Sequence, residues 1–197
     1  LEHGGYQHAL VIGAETLSKM MDWTDRSTCV LFGDGAGAAV LSASKEDGIL
    51  SMVQGSDGFR GDVLNCMARK VNNPYKKSDT ALSYVSMNGQ EVYRFAVKTV
   101  PKAVTDAVEQ AGLQLEEVDL FLLHQANYRI IEAVSKRLGQ PMEKFPTNLE
   151  ECGNISAASV PILLDNVNNH GMMRKGMKIV LAGFGAGLTW GATVINW

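Results

Sequence analysis

The 197-residue sequence has no apolar stretch near the roughly 18 to 20 residues that cross a bilayer as a helix, and no basic-then-apolar leader opens it. No membrane role is therefore expected, and the cytoplasm is the expected location. Cysteine is scarce. Cys29, Cys66 and Cys152 form an odd, unpatterned set without a C-x-x-C pair, which argues against a disulfide framework or a zinc site and fits a reducing compartment. No metal is expected. Proline is low at 5 residues and no polar repeat or low-complexity tract occurs, which excludes linker and collagen-like chains. A marked excess of either charge is also missing. The 18 basic and 21 acidic residues are interspersed, so the net charge of −3 creates no field that would hold nucleic acid. A charged partner has to be met by a local patch.

What is present is the composition of a globular protein, 46% apolar and 20% charged, with 20 glycines that point to tight turns and close backbone approaches. The chain opens on Leu1 and soon enters the run His8-Ala-Leu-Val-Ile-Gly13, which reads as the interior of a fold and not as a natural start. Ala9–Ile12, Cys29–Phe32 and Ala36–Leu41 are short, apolar and bounded by Gly or Asp, as expected of strands covered on both faces. From Asp57 to Tyr84 the chain turns polar and irregular, with Gly58, Gly61, Asn72, Asn73 and Pro74 marking a surface excursion. Helical spacing of Val92, Ala96, Val100, Ala103 and Ala107 predicts a long helix over Asn88–Ala111, stopped by Gly112 and kinked near Lys98–Pro101. Leu120–Leu123 reads as a buried strand. Tyr128–Leu138 reads as a helix ended by Gly139, and Ser156–Asn169 as a helix with Pro161 in or near its first turn. Lys178–Ala182 and Thr189–Ile195 complete the chain as strands joined across Gly183–Gly187. This alternation indicates an α/β sandwich with a mixed sheet.

Gly33-Asp-Gly-Ala-Gly-Ala-Ala39 resembles a dinucleotide loop, but it leads into a strand and offers no helix start for phosphates; a tight connection in which Asp34 bonds the turn explains it. His124-Gln-Ala-Asn127 follows an apolar strand and precedes a helix, so His124 stands at a strand's carboxyl end, where α/β folds open their ligand crevices. A satisfied structural histidine would fit the same position. Asn154, on a Gly-preceded turn before a helix, and Asn127 are each either functional or helix caps. Cys152 lies close to Asn154, but Glu150 and Glu151 beside it would raise its thiol pKa, so a Cys152, His124, Asn154 triad is disfavoured.

Together, HQAN, GNISAASVP, GFGAGLTWG and DRSTCVLFGDGAGAAVL, in their order and spacing, closely resemble the β-ketoacyl-acyl-carrier-protein synthase III family of bacterial type II fatty-acid synthesis. The resemblance covers nearly the whole chain. It implies a thiolase-like fold, layered α-β-α-β-α, with two similar halves each built on a five-stranded sheet. Residues 1–44 would be the end of the first half and 48–197 the complete second half. It also implies an acyltransferase with no permanently bound cofactor. Its substrates are an acyl-CoA primer and malonyl-acyl-carrier protein, its partner is the acyl carrier protein, and its assembly is a homodimer with an interface near residues 9 to 41.

The family's active site is a Cys, a His and an Asn. His124 and Asn154 match the last two, whereas the nucleophilic Cys belongs upstream of Leu1, so this chain alone is expected to be inactive. By resemblance a second oxyanion hole uses the backbone N–H of Ala186. The loop reads GFGAG where three consecutive glycines are usual, so a negative φ is required at Ala186. CoA contacts are implied for Arg26, Met87, Gly89, Tyr93, Asn127, Arg129 and Ile130. Phe184 is placed beside the catalytic pair, with core filling as its plainer role. Carrier docking is implied for Arg94, Arg129, Lys136 and Arg137, which lie with Lys98 and Lys102 on basic helix stripes that solvation alone would also explain. The alternatives are another thiolase-fold synthase, of polyketide or hydroxymethylglutaryl type, and a non-catalytic acyl-CoA or carrier-binding module.

Overall fold

The computed structural model describes residues 4–46, 48–66, 75 and 83–197. Two strands, β1 (His8–Thr16) and β2 (Asp34–Ser42), pair antiparallel in register from His8 with Ser42 to Thr16 with Asp34. Then follow β3 (Ile49–Ser56), the short β4 (Leu64–Asn65) and β5 (Ser86–Met87), which pair with each other, and α1 (Gly89–Gln110). The remainder is β6 (Leu120–Leu123), α2 (Tyr128–Leu138), α3 (Leu149–Cys152), α4 (Ser159–Asn169), β7 (Lys178–Gly185) and β8 (Thr189–Asn196).

The main sheet has the order β3-β8-β7-β6, with β6 and β7 parallel and the other pairs antiparallel. Among the described residues it contains four strands where the resemblance implies five; β4 and β5 form a separate ribbon. All four residues of β6 are buried because both faces are covered. Phe121 and Leu123 enter a core with α1, α2 and β8, whereas Leu120 and Leu122 pack with Leu163 and Val167 of α4. The β1–β2 hairpin lies beyond α4, so helices, sheet, helix and hairpin follow one another as the layers of a thiolase-like fold.

The caps agree with the sequence signals. Asn88 Oδ1 accepts the Glu91 N–H at the start of α1, and Gly112 and Gly139 adopt φ of 72° and 65° after α1 and α2. The kink expected at Lys98–Pro101 does not interrupt α1, which continues through the buried Pro101. Pro161 stands in the first turn of α4, where its missing N–H costs nothing. Among the described residues no helix is long and apolar enough to cross a membrane.

Two expectations are corrected. Cys29–Phe32 is not a strand. Asp25 accepts the Ser27 N–H and the hydroxyls of Ser27 and Thr28, which winds this region into consecutive turns, and only Phe32 forms an isolated bridge, to Asn154. The hairpin is also not covered on both faces, because Leu10, Ile12 and Val40 on its outer face are 60%, 60% and 67% exposed. Of the polar excursion, Gly58–Val63 is a 3-10 turn; residues 67–74, with Asn72, Asn73 and Pro74, lie outside the described residues.

The inner face of the hairpin presses on the segment that leads into α4. A Cβ on Gly13 would lie 2.6 Å from Ala157 O, and one on Gly33 would lie 2.4 Å from Cys152 O, so both positions require glycine. Gly13→Ala is therefore expected to destabilise the protein by about 1–3 kcal/mol through overpacking. Gly48→Ala, where a Cβ meets nothing within 4 Å, should change little in the same denaturation experiment. Equal midpoints for the two variants would contradict this packing.

Candidate active site

His124 is an extension of β6. Its N–H donates to Ala182 O at 2.7 Å, one rung beyond the β6–β7 ladder, and the next residues turn away until Asn127 caps α2 by accepting the Arg129 N–H at 2.8 Å. Asn154 arrives from another direction. The short helix α3 ends at Gly153, whose φ of 66° turns the chain so that Asn154 N–H donates to Leu31 O at 2.9 Å and Asn154 O accepts the Gly33 N–H at 2.8 Å. Its Oδ1 accepts the Ser156 N–H at 3.0 Å, which leaves Nδ2–H as the group free to donate to a ligand. Ser156 itself is held at φ 46°, backbone strain of the kind that accumulates at functional sites.

Both side chains line one cavity of about 950 Å³ between the sheet's carboxyl end and the hairpin. His124 is 9% exposed and burial pushes its pKa down to about 4, so near neutral pH it is an uncharged imidazole with one N–H donor. Phe184 meets its ring edge-on at a centroid distance of 5.4 Å. Behind Phe184, Phe95 packs edge-on against both Phe184 and Trp190. Trp190 also borders a second, smaller cavity with Arg60, Glu91 and Lys98, and its ring would collide with any Cβ on Gly55.

The cavity gathers most of the residues implied by the resemblance: His124, Asn154, Met87, Gly89, Tyr93, Asn127, Arg129, Ile130, Phe184 and Ala186. Ala186 keeps φ outside the left-handed region, as a backbone donor with a Cβ requires. Arg26 is not on this wall but on an exposed turn, and Cys152 is likewise absent from it, unlike His124 and Asn154. Asn127 both caps α2 and lines the cavity. Arg94, Arg129, Lys136 and Arg137 are exposed on α1 and α2, which pack side by side; Arg94 pairs with Glu91, and Lys136 with Glu132, which raises the pKa of its ammonium. Sequence reasoning missed the apolar wall of Leu17, Met20 and Val85, residues that carry no motif of their own, and read Phe32, which joins them there, as the end of a strand.

Residues 108–197 match the family 3-oxoacyl-[acyl-carrier-protein (ACP)] synthase III C terminal, and residues 1–58 match 3-oxoacyl-[acyl-carrier-protein (ACP)] synthase III. The chain belongs to the synthase III family. The β-ketoacyl-acyl-carrier-protein synthase III of Clostridium acetobutylicum is 48% identical over 198 residues, a match that covers 100% of this chain and 61% of that protein. The synthase III structure from Thermus thermophilus superposes with a TM-score of 0.90 at 44% identity, covering 100% of this chain and 61% of the other. A priming β-ketosynthase of the R1128 polyketide pathway gives 0.89 at 37% identity, with 99% and 58% covered. The chain thus spans about three fifths of the length of the synthase III relatives it matches.

The low His124 pKa fixes the sign of a pH effect. The unfolded chain binds a proton near pH 6.5 that the folded protein does not bind until about 4, so stability falls as pH drops through that interval, by about 3 kcal/mol in full. Urea unfolding of the wild type and of His124→Gln between pH 7.5 and 4 should show the wild type losing that much more. Parallel curves would mean that the imidazole is not held neutral.

Proposed function

We propose that this chain supplies the decarboxylating donors of a condensing enzyme that joins an acyl-CoA primer to malonyl-acyl-carrier protein and starts fatty-acid elongation. The observation that carries the reading is the pairing, on one cavity, of a neutral buried imidazole with an amide whose oxygen is already engaged. In this reading a cysteine, placed upstream of Leu1 by family resemblance, takes the acyl group from CoA and frees the CoA thiol. The malonyl thioester then enters. As its carboxylate departs as CO₂, the electron pair of the broken C–C bond forms an enolate whose oxygen is held by the His124 N–H and Asn154 Nδ2–H. Two fixed neutral donors stabilise that charge better than water because they need not reorganise. The enolate carbon attacks the acyl thioester, the resulting oxyanion takes the Ala186 N–H, and collapse expels the cysteine thiolate.

Met87, Gly89, Tyr93, Asn127, Arg129 and Ile130 would line the pantetheine path, and Arg26 would meet the nucleotide outside the cavity. No permanent cofactor takes part. Residues 1–44 would close the first half of the enzyme, whose remainder, with a second subunit, would cover the exposed Leu10, Ile12 and Val40. The similarity to a priming polyketide synthase supports one variant, in which the same chemistry serves a polyketide carrier.

His124→Ala and Asn154→Ala in the full-length protein should each slow malonyl-carrier decarboxylation by on the order of a hundred- to a thousandfold, and acylation by acyl-CoA far less. Asn154→Ala decarboxylating at the wild-type rate while melting earlier would reduce the residue to a turn former.

Arg94, Arg129, Lys136 and Arg137 would dock the acidic carrier along α1 and α2. Lys136→Glu with Arg137→Glu should weaken use of malonyl-carrier protein, a wild-type preference that itself fades at high salt, and barely affect a small malonyl thioester. Equal losses with both substrates would remove these residues from the docking surface.

A further inference from the structure

Gln125 is 1% exposed, among the most deeply buried polar side chains of the protein, although it sits in a connection and not in a strand or helix. Its amide is spent at both ends on backbone groups of two different segments. Nε2–H donates to Leu123 O at 2.8 Å, and Oε1 accepts the Asn148 N–H at 3.1 Å. Leu123 is the last residue of β6, immediately before His124. Asn148 begins the stretch that ends at Asn154: its carbonyl accepts the N–H groups of Glu151 and Cys152, Gly153 N–H donates to Leu149 O, and the chain leaves that turn directly into Asn154. One side chain therefore joins the segment carrying the imidazole to the segment carrying the amide.

We propose that Gln125 is a positioning residue that sets the separation and relative orientation of the His124 and Asn154 donors. The side chain of Asn148 does not provide this tie, since it makes no cap bond to α3 and its Nδ2 is buried without a partner. Leu31 and Gly33 hold the Asn154 end through its backbone, but neither bonds the His124 segment. Phe121 and Phe145, stacked 4.7 Å apart, pack the two segments together without fixing their register, because a flat apolar contact can slide where two directed hydrogen bonds cannot. An oxyanion site needs that register, since a displacement of about 1 Å in a catalytic group can cost a hundredfold in rate.

This inference rests on the donor roles proposed for His124 and Asn154, and its test separates the two. Gln125→Met keeps the length and bulk of the side chain and removes both hydrogen bonds. In the folded full-length variant, kcat for decarboxylation of a malonyl thioester is expected to fall roughly tenfold to a hundredfold with KM little changed. Acylation by acyl-CoA should stay near wild type. The titration of the His124 imidazole, followed by NMR with isotope-labelled histidine, should move from about 4 toward 6.5 as the loosened segment admits water. Melting should fall whether or not the residue positions the donors, so it decides nothing. Gln125→Glu can make both bonds only as the neutral acid and, once ionised, sets an oxygen against Leu123 O, so its loss in the same direction should grow as pH rises; it serves if Gln125→Met does not fold. A folded variant that melts earlier yet decarboxylates at the wild-type rate with His124 still titrating near 4 would overturn the proposal. If His124→Ala itself decarboxylated normally, the donor reading would fail, and the imidazole titration would still show whether Gln125 holds His124 in place.

Discussion

The hydrogen bond from the His124 backbone N–H to Ala182 O is the contact on which the site's geometry depends, because it makes the backbone of a titratable residue the final rung of a strand buried on both faces. The imidazole there is 9% exposed and meets Phe184 edge-on, so little water is at hand to hydrate a charge on it. It stays uncharged, and an uncharged imidazole is a hydrogen-bond donor that can receive negative charge without first surrendering a proton to water. The apolar layers that keep it dry are ordinary core: Leu120 and Leu122 against α4, Phe121 and Leu123 against α1 and α2. Folding thus sustains, near neutral pH, a donor whose retention becomes costly only in acid.

Asn154 is held by the opposite strategy. It lies in irregular chain and depends on backbone bonds to Leu31 and Gly33, in the turn that feeds the hairpin, and on Ser156 within its own turn. The glycines of the hairpin allow this closeness; a side chain on Gly33 would occupy the position of the Cys152 carbonyl and push the two segments apart. The cavity therefore opens at a seam between two sheets, with one donor fixed by each kind of support, and in this setting the double hydrogen bond of Gln125 acquires its importance.

The long amphipathic helix, the buried strand before His124 and the helix closed by Gly139 were legible because each had a period and a stop signal that agreed. Cys29–Phe32 misled because four residues of suitable hydrophobicity carry no information about their neighbours, and Asp25, Ser27 and Thr28 supplied turn chemistry that outweighed β propensity. Strand β3 was overlooked because Ser51, Gln54 and Gly55 break its apolar run. His124 and Asn154 stood out through strand-end and glycine-turn positions. The apolar wall did not, since Leu17, Met20 and Val85 become neighbours of the site only through long-range folding. Gln125 was equally silent: a glutamine in a connection normally signals exposure, and its burial exists only in three dimensions.

Trp190 stands with one side on the large cavity and another on the smaller one, its ring laid on Gly55 and braced edge-on by Phe95. Trp23 and Trp197 are 65% and 38% exposed and line neither cavity. Of the 3 tryptophans, Trp190 is thus the one whose indole forms part of the large cavity's wall. A ligand that fills the cavity is expected to shift the emission of that indole toward the blue, so the protein carries an intrinsic fluorophore at the wall where occupancy is decided.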